Sequence, residues 1–124
     1  MTILFLYGTL KRGQRNHQLL AGQHCLGPAR TVPHYRLHDV GPYPGLVEDA
    51  DNGRAIAGEL WEVDDAALAR LDQFEGAPLP GQQLANPEFT RGRVDIQGQP
   101  GPIFAYFYRR AVDRLRDCGD CWPG

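Results

Sequence analysis

Residues 3–20 read ILFLYGTLKRGQRNHQLL, an apolar run followed by a loop between two glycines and then a polar stretch. The run Ile3–Tyr7 is apolar throughout, which is typical of a strand buried on both faces. The polar stretch Gln14–Ala21 predicts a short helix. Many proteins hold a phosphate with a strand, a glycine loop and a helix in this order, which makes a phosphate the first candidate ligand of this loop.

The loop does not carry the residues of a nucleotide site. Gly8 and Gly13 have the separation found in a phosphate-binding P-loop, but Gln14 and Arg15 stand where that loop needs a lysine and a hydroxyl residue. The dinucleotide pattern G-x-G-x-x-G fails as well, because Leu10 occupies its second glycine position. These departures argue against a nucleotide ligand.

The same loop retains the means to bind a smaller anion. A strand that ends in Gly8 and Thr9 exposes consecutive backbone N–H groups at the rim of a sheet, where a carboxylate could bind. Gly8 would permit close approach of the ligand. The alternative is a plain strand-to-helix turn that needs Gly8 for its dihedral angles.

The bulk properties bound the class of protein. The 124 residues fit one domain, and a formal charge of −2 provides no basic field for nucleic acid and no polybasic patch for a membrane surface. No stretch approaches the roughly 20 apolar residues that span a bilayer. The first apolar run is too short for a secretory signal. We therefore expect a soluble, cytoplasmic protein with neither nucleic acid nor membrane as partner.

The rest of the chain predicts a sheet with few helices. DDAALARLDQFEG is the strongest helix pattern, with Asp64 or Asp65 as the cap and Gly76 as the stop. VGPYPGLVED is interpreted as a turn-rich loop, and Ala77–Pro87 as a second loop. Further strands are predicted at Ala29–His38, Arg54–Val63, Phe89–Ile96 and Pro102–Arg109. The predicted fold class is α+β, a small mixed β-barrel or sheet with a few short helices.

The predicted domain covers residues 1–110, and residues 111–124 form a C-terminal tail. The tail carries CGDC, at Cys118 and Cys121, without the further ligands that a zinc site needs. We interpret it as incidental, with a redox or metal role as the minor alternative. No metal and no cofactor are expected, and nothing in the sequence indicates an oligomeric state.

Four motifs in order carry a resemblance to a known family. YGTLKRGQRNHQLL, YPGLV, AIAGELWEV and LARLDQFEG lie within residues 3–109. Together they resemble the γ-glutamylcyclotransferase-like family, in the branch of γ-glutamylamine cyclotransferase and the AIG2-like proteins. The resemblance implies an enzyme in which the turn grips the amino-acid end of a γ-glutamyl group, and in which Glu75 is the acid/base catalyst. The turn residues are Tyr7, Gly8, Thr9 and Leu10.

The implied reaction closes the γ-glutamyl group to 5-oxoproline and releases an amine or an amino acid. The attacking amine belongs to the substrate, so one carboxylate suffices for proton transfer and no cofactor is needed. The alternative is a module of the same fold that binds a small carboxylate without turnover. Glu59 is a rival carboxylate, and Asp72 is interpreted as a surface or capping group.

Further pocket residues are expected from two stretches. Tyr43, Pro44 and Gly45 of YPGL are expected to line the pocket, with a rigid turn as the alternative, and Tyr106 and Tyr108 share one face of the last strand. One departure from the family lies in EFTRGRV, where the first aromatic residue is phenylalanine rather than tyrosine. This puts a hydroxyl contact from that position in doubt.

Overall fold

The computed structural model describes residues 1–78, 82–83 and 85–122. Seven strands form a mixed sheet, with one α-helix and one short 3₁₀ helix among the described residues. None of the described helices is long and apolar enough to cross a membrane. The elements are β1 Thr2–Leu6, the 3₁₀ helix His17–Leu20, β2 His24–Arg30, β3 Tyr35–Asp39, β4 Pro44–Glu48, β5 Ala57–Val63, α1 Asp65–Glu75, β6 Phe89–Arg93 and β7 Phe104–Tyr108.

Strand β1 lies at the centre of the fold and is buried on both faces. Leu4 and Leu6 belong to a core cluster that also contains helix residues such as Leu71. Phe5 and Tyr7 belong to a second cluster on the opposite face. This alternation follows from the two-residue period of a strand, and it explains why the sequence shows an unbroken apolar run.

Strand β7 organises the sheet around the site. It pairs antiparallel with β6 along its whole length, from Phe104 to Tyr108. Two strands share its opposite edge: β1 pairs with it at Phe104, and β4 pairs with it at Phe107. Both of these pairings are parallel. Along this edge of β7 the partner strand changes from β1 to β4, and the turn after β1 lies near that change.

The sheet closes on itself through the segment that follows β6. The N–H of Val32 donates to the carbonyl of Asp95 at 3.0 Å, and the N–H of Gln97 donates to the carbonyl of Arg30 at 2.9 Å. These bonds join the end of β2 to the far end of the β6 hairpin. They confirm the expected α+β class with a barrel-like sheet.

Helix α1 begins and ends where the sequence predicts. Asp64 is the N-cap, and its Oδ1 accepts the N–H of Ala67 at 2.7 Å. Gly76 ends the helix in the left-handed conformation, at φ 71°, which a glycine adopts without strain. The helix therefore stops directly after Glu75, at the edge of the sheet.

One strand prediction and one loop prediction were wrong. The pattern Ala29–His38 is not one strand, because the chain leaves β2 at Arg30 and starts β3 only at Tyr35, after Pro33. The loop predicted over VGPYPGLVED contains β4, which begins at Pro44. Proline is accepted there because the first residue of a strand need not donate to the ladder.

The described part of the tail lies along the sheet. The N–H of Asp39 donates to the carbonyl of Arg116 at 2.8 Å, and the N–H of Cys118 donates to the carbonyl of Leu37 at 2.7 Å. The tail thus extends the edge of β3. The domain boundary placed at residue 110 stays a prediction, and positions 79–81, 84 and 123–124 of the predicted loop and tail lie outside the described residues.

Candidate active site

The turn after β1 forms one wall of a cavity. The N–H of Lys11 donates to the carbonyl of Gly8 at 3.1 Å, which closes the turn. The structure gives the intervening N–H groups of Thr9 and Leu10, and that of Gly8 itself, no acceptor within the described part of the chain. Three consecutive donors are therefore available to a ligand.

Gly8 is favoured by tight packing and not by its dihedral angles. Its φ lies outside the left-handed region. A Cβ at this position would stand 3.0 Å from Cγ and 3.1 Å from Cδ of Pro44. The turn is thus pressed against the first residue of β4, and the two predicted motifs YGTL and YPGL meet in space.

Tyr7 fixes the point at which β1 leaves β7. Its hydroxyl donates to the carbonyl of Tyr106 at 2.6 Å and accepts the N–H of Leu46 at 3.2 Å. The Tyr7 hydroxyl thereby links the end of β1 to both β7 and β4. Burial raises the pKa of the Tyr7 phenol far above its usual value, so the group stays protonated. Tyr7 lines the cavity, but its ring packs in the second core cluster.

Asn16 holds the turn from the other side. Its side-chain amide donates to the hydroxyl oxygen of Thr9 at 3.0 Å, and its N–H donates to the carbonyl of Thr9 at 2.9 Å. These two bonds stabilise the turn. Because the Thr9 oxygen accepts from Asn16, the Thr9 hydroxyl proton is oriented away from it and is available to a ligand.

Glu75 faces the cavity from the end of α1. Its carboxyl accepts no hydrogen bond from the described residues, and Phe74 beside it is 46% exposed at the cavity mouth. Burial, with a smaller contribution from Glu88, raises the pKa of Glu75 from 4.5 to about 7. A carboxyl with such a pKa can both accept and donate a proton near neutral pH.

Asp72 ties the last turns of α1 to the sheet, and its interpretation as a surface or capping group was wrong. Its side chain is 1% exposed. Arg91 donates to its two carboxylate oxygens, from Nε and from a terminal nitrogen, each at 3.0 Å. The hydroxyl of Tyr106 donates to Oδ1 at 2.7 Å. This contact raises the pKa of the Tyr106 phenol, after the larger effect of burial. Tyr106 thus lines the cavity while its hydroxyl holds the helix.

The far wall contains residues that sequence reasoning missed. Glu88 and Phe89 line the cavity at the start of β6, and the Tyr43 hydroxyl donates to a carboxylate oxygen of Glu88. Burial and this hydrogen bond raise the pKa of Tyr43 to about 12. The Tyr43 and Phe89 rings pack with centroids 5.9 Å apart. The stretch EFTRGRV was the available signal, since it places an acidic residue beside an aromatic one.

The cavity brings most of the predicted site residues together. Its volume is about 300 Å³, at the lower end of small-molecule sites. Among the described residues, those lining it include no lysine, arginine or histidine. The lining residues are Leu6, Tyr7, Gly8, Thr9, Leu10, Asn16, Tyr43, Pro44, Phe74, Glu75, Glu88, Phe89 and Tyr106.

Three residues considered as site candidates from the sequence do not line the cavity. A Cβ on Gly45 would stand 2.7 Å from the Cβ of Tyr108, so Gly45 makes room for that ring. Tyr108 packs against Phe89 with ring centroids 5.5 Å apart and supports the wall from behind. These two residues do not line the cavity, and their expected contact with a ligand stays a prediction. Glu59 accepts hydrogen bonds from the N–H of Arg12 at 3.0 Å and from the Trp61 indole at 3.1 Å, and it does not line the cavity.

Comparison with known proteins agrees with this fold and site. The family model for gamma-glutamyl cyclotransferase, AIG2-like, matches residues 4–122. A protein of Vibrio cholerae assigned by name to the gamma-glutamylcyclotransferases is 35% identical over 118 residues, which cover 95% of this chain and 93% of that protein. The gamma-glutamylaminecyclotransferase of Bos taurus is 35% identical over 120 residues, covering 88% of this chain and 66% of that protein.

A solved structure of an AIG2-like protein has the same fold. The crystal structure of an AIG2-like protein from Mus musculus superposes with a TM-score of 0.74 at 29% identity, covering 94% of this chain and 85% of that chain. The chain belongs to the gamma-glutamyl cyclotransferase, AIG2-like family, and it is an enzyme of the γ-glutamylcyclotransferase-like type. The family resemblance stated from the sequence motifs is confirmed.

Proposed function

We propose that this protein cyclises a γ-glutamyl amine or a γ-glutamyl amino acid to 5-oxoproline and releases the amine, with Glu75 as the general acid and base. One observation carries the proposal. Glu75 lines the same small cavity as Gly8, Thr9 and Leu10, whose N–H groups have no acceptor among the described residues. A γ-glutamyl group carries an ammonium and a carboxylate on its α-carbon, and these two features complement the two charges.

The turn supplies the anion site. The α-carboxylate of the substrate would accept from the N–H groups of Gly8, Thr9 and Leu10, and the Thr9 hydroxyl would add a fourth donor. The described residues that line the cavity include no cationic side chain. Backbone N–H dipoles would therefore bind the substrate carboxylate. The substrate ammonium would then face Glu75.

Proton transfer follows from that placement. The ionised Glu75 removes a proton from the substrate ammonium, and the freed amine nitrogen attacks the γ-carbonyl carbon to close a five-membered ring. The protonated Glu75 then returns the proton to the leaving nitrogen as its bond to carbon breaks. The ring nitrogen, which still bears two hydrogens after the attack, gives up one of them through Glu75 to the departing amine. The products are 5-oxoproline and a protonated amine, and Glu75 ends ionised as it began.

The electrostatics of Glu75 favour this role. Its pKa of about 7 lies far above the usual 4.5. The elevation makes proton transfer from the ammonium easier by about 3 kcal/mol than transfer to an ordinary glutamate. The ring closure is intramolecular, so positioning alone can contribute up to about 7–11 kcal/mol through effective molarity. No step calls for a metal or another cofactor, and a cytoplasmic location stays a prediction from the sequence.

The test is release of 5-oxoproline, measured without added metal, from a panel of γ-glutamyl amines, γ-glutamyl dipeptides and glutathione. We expect product from at least one compound with the wild type and with Glu59→Gln, a matched change outside the cavity. Glu75→Gln should give none while remaining folded. No product from any compound, with binding of γ-glutamyl compounds retained, would instead favour a non-catalytic module that binds small carboxylates.

A further inference from the structure

Glu88 is a second carboxyl in the cavity that the proposed reaction does not use. It lies directly before β6 and lines the same cavity as Glu75 and the turn after β1. The Tyr43 hydroxyl donates to its Oε2, and its Oε1 accepts from no group within the described ranges. One oxygen is thus held while the other remains open to a ligand.

The position of Glu88 is supported by packing. Tyr43, which holds it, packs on Phe89, and Phe89 packs in turn on Tyr108. The backbone carbonyl of Glu88 accepts the N–H of Arg109 at 2.8 Å, which anchors the residue to the end of β7. Such support on both sides distinguishes Glu88 from a freely rotating surface glutamate.

Among the described residues, no arginine or lysine forms an ion pair with Glu88. Arg91 is committed to Asp72 by two hydrogen bonds. Arg109 donates to the Thr90 hydroxyl and lies over the Phe107 ring, with Cζ 5.4 Å from its centroid. The charge of Arg110 opposes the rise in the pKa of Tyr43, and none of these three arginines lines the cavity. The charge of Glu88 also acts on Glu75, because it contributes to the raised pKa of the Glu75 carboxyl.

The γ-glutamyl group does not account for this carboxylate. Its ammonium is matched by Glu75 and its carboxylate by the turn, so Glu88 remains for the other half of the substrate, the leaving amine. A fixed negative charge in a small cavity attracts a cation and repels an anion, and such repulsion is an efficient source of specificity.

We propose that Glu88, held in place by Tyr43, selects the leaving amine by charge, favouring one that bears a positive group over a neutral one and disfavouring one that bears a carboxylate. This inference rests on the proposed function. It adds no proton transfer, because Glu88 acts on the charge of the leaving group and not on the reacting nitrogen.

The test compares three γ-glutamyl amides of nearly equal length. Their leaving amines are 1,4-diaminobutane, n-pentylamine and 4-aminobutyrate, which end in a cation, a methyl group and a carboxylate. In the wild type, kcat/KM should fall in this order, with at least about tenfold between the first and the last. Glu88→Gln should bring the three values close together. Tyr43→Phe, which keeps the carboxylate but releases it, should reduce the ratio partly.

The ratio of kcat/KM values is the readout because Glu88 also affects Glu75, and a change in the absolute rate would be shared by all three amides. Glu48→Gln, at an exposed glutamate on β4 outside the cavity, is the matched control and should retain the wild-type ratio. Equal kcat/KM values for the three amides in the wild type, or an unchanged ratio in Glu88→Gln, would overturn the inference alone. No 5-oxoproline from any of the three would overturn the proposed function for such amides, and the inference with it.

Discussion

Replacing Glu75 with glutamine should stabilise the protein, and the gain should depend on pH. The carboxyl is held in a cavity that raises its pKa from 4.5 to about 7. The folded state therefore binds this proton more tightly than the unfolded chain does. Ionising Glu75 costs folding free energy, and a neutral glutamine of the same shape avoids that cost.

The magnitude follows from the two pKa values. Below pH 4.5 the carboxyl is protonated in both states, so wild type and Glu75→Gln should have nearly the same free energy of unfolding. As the pH rises from 4.5 to about 7, the unfolded chain loses the proton while the folded protein keeps it, and the wild type loses stability. Above pH 7 the difference should level off at about 3 kcal/mol at most.

Urea denaturation at several pH values between 4 and 9 provides the measurement, with Glu48→Gln as the control for removing one carboxylate from the total charge. The difference between Glu75→Gln and wild type should grow with pH and then level off. A difference that is constant with pH, or one in which the variant is less stable at pH 8, would refute the argument that the cavity disfavours the ionised carboxyl.

Two further substitutions test the supporting structure. Gly45→Ala should lower the free energy of unfolding by about 1–3 kcal/mol, because its Cβ would stand 2.7 Å from the Cβ of Tyr108. Gly92→Ala, where the nearest atom is 3.4 Å away, is the matched control, and equal losses in chemical denaturation would contradict this. Asp72→Asn should cost about 2–4 kcal/mol, because it leaves the half-buried Arg91 without its ionic partner, and a loss below about 0.5 kcal/mol would contradict that.

Sequence patterns predicted the elements that depend on local rules. The run Ile3–Tyr7 had to be a strand with two buried faces, because no polar residue interrupts it. The bounds of α1 followed from a capping Asp64 and a terminating Gly76, each of which acts within one helical turn. Through the family resemblance, the same bounds led to Glu75.

The remaining parts of the site depend on contacts between distant segments. Pro44 begins a strand because β7 and the turn after β1 lie beside it, and no local pattern shows this. Asp72 is buried because Arg91 and Tyr106 satisfy its carboxylate. Glu88 belongs to the cavity because Tyr43, more than forty residues away, donates to it. A charged residue is expected to be exposed when only the sequence is known. Its burial becomes clear only when the distant residue that pairs with it is known.

The central claim is that Glu75 carries the proton in formation of 5-oxoproline, and the pH dependence of kcat/KM tests it most directly. With a substrate found in the panel assay, the wild-type profile should show an ionisation near pH 7, below which activity falls as Glu75 becomes protonated. Glu75→Gln should lose at least about 100-fold in kcat/KM at every pH while unfolding cooperatively. A Glu75→Gln variant with near wild-type activity, and with the ionisation near pH 7 retained, would contradict the account.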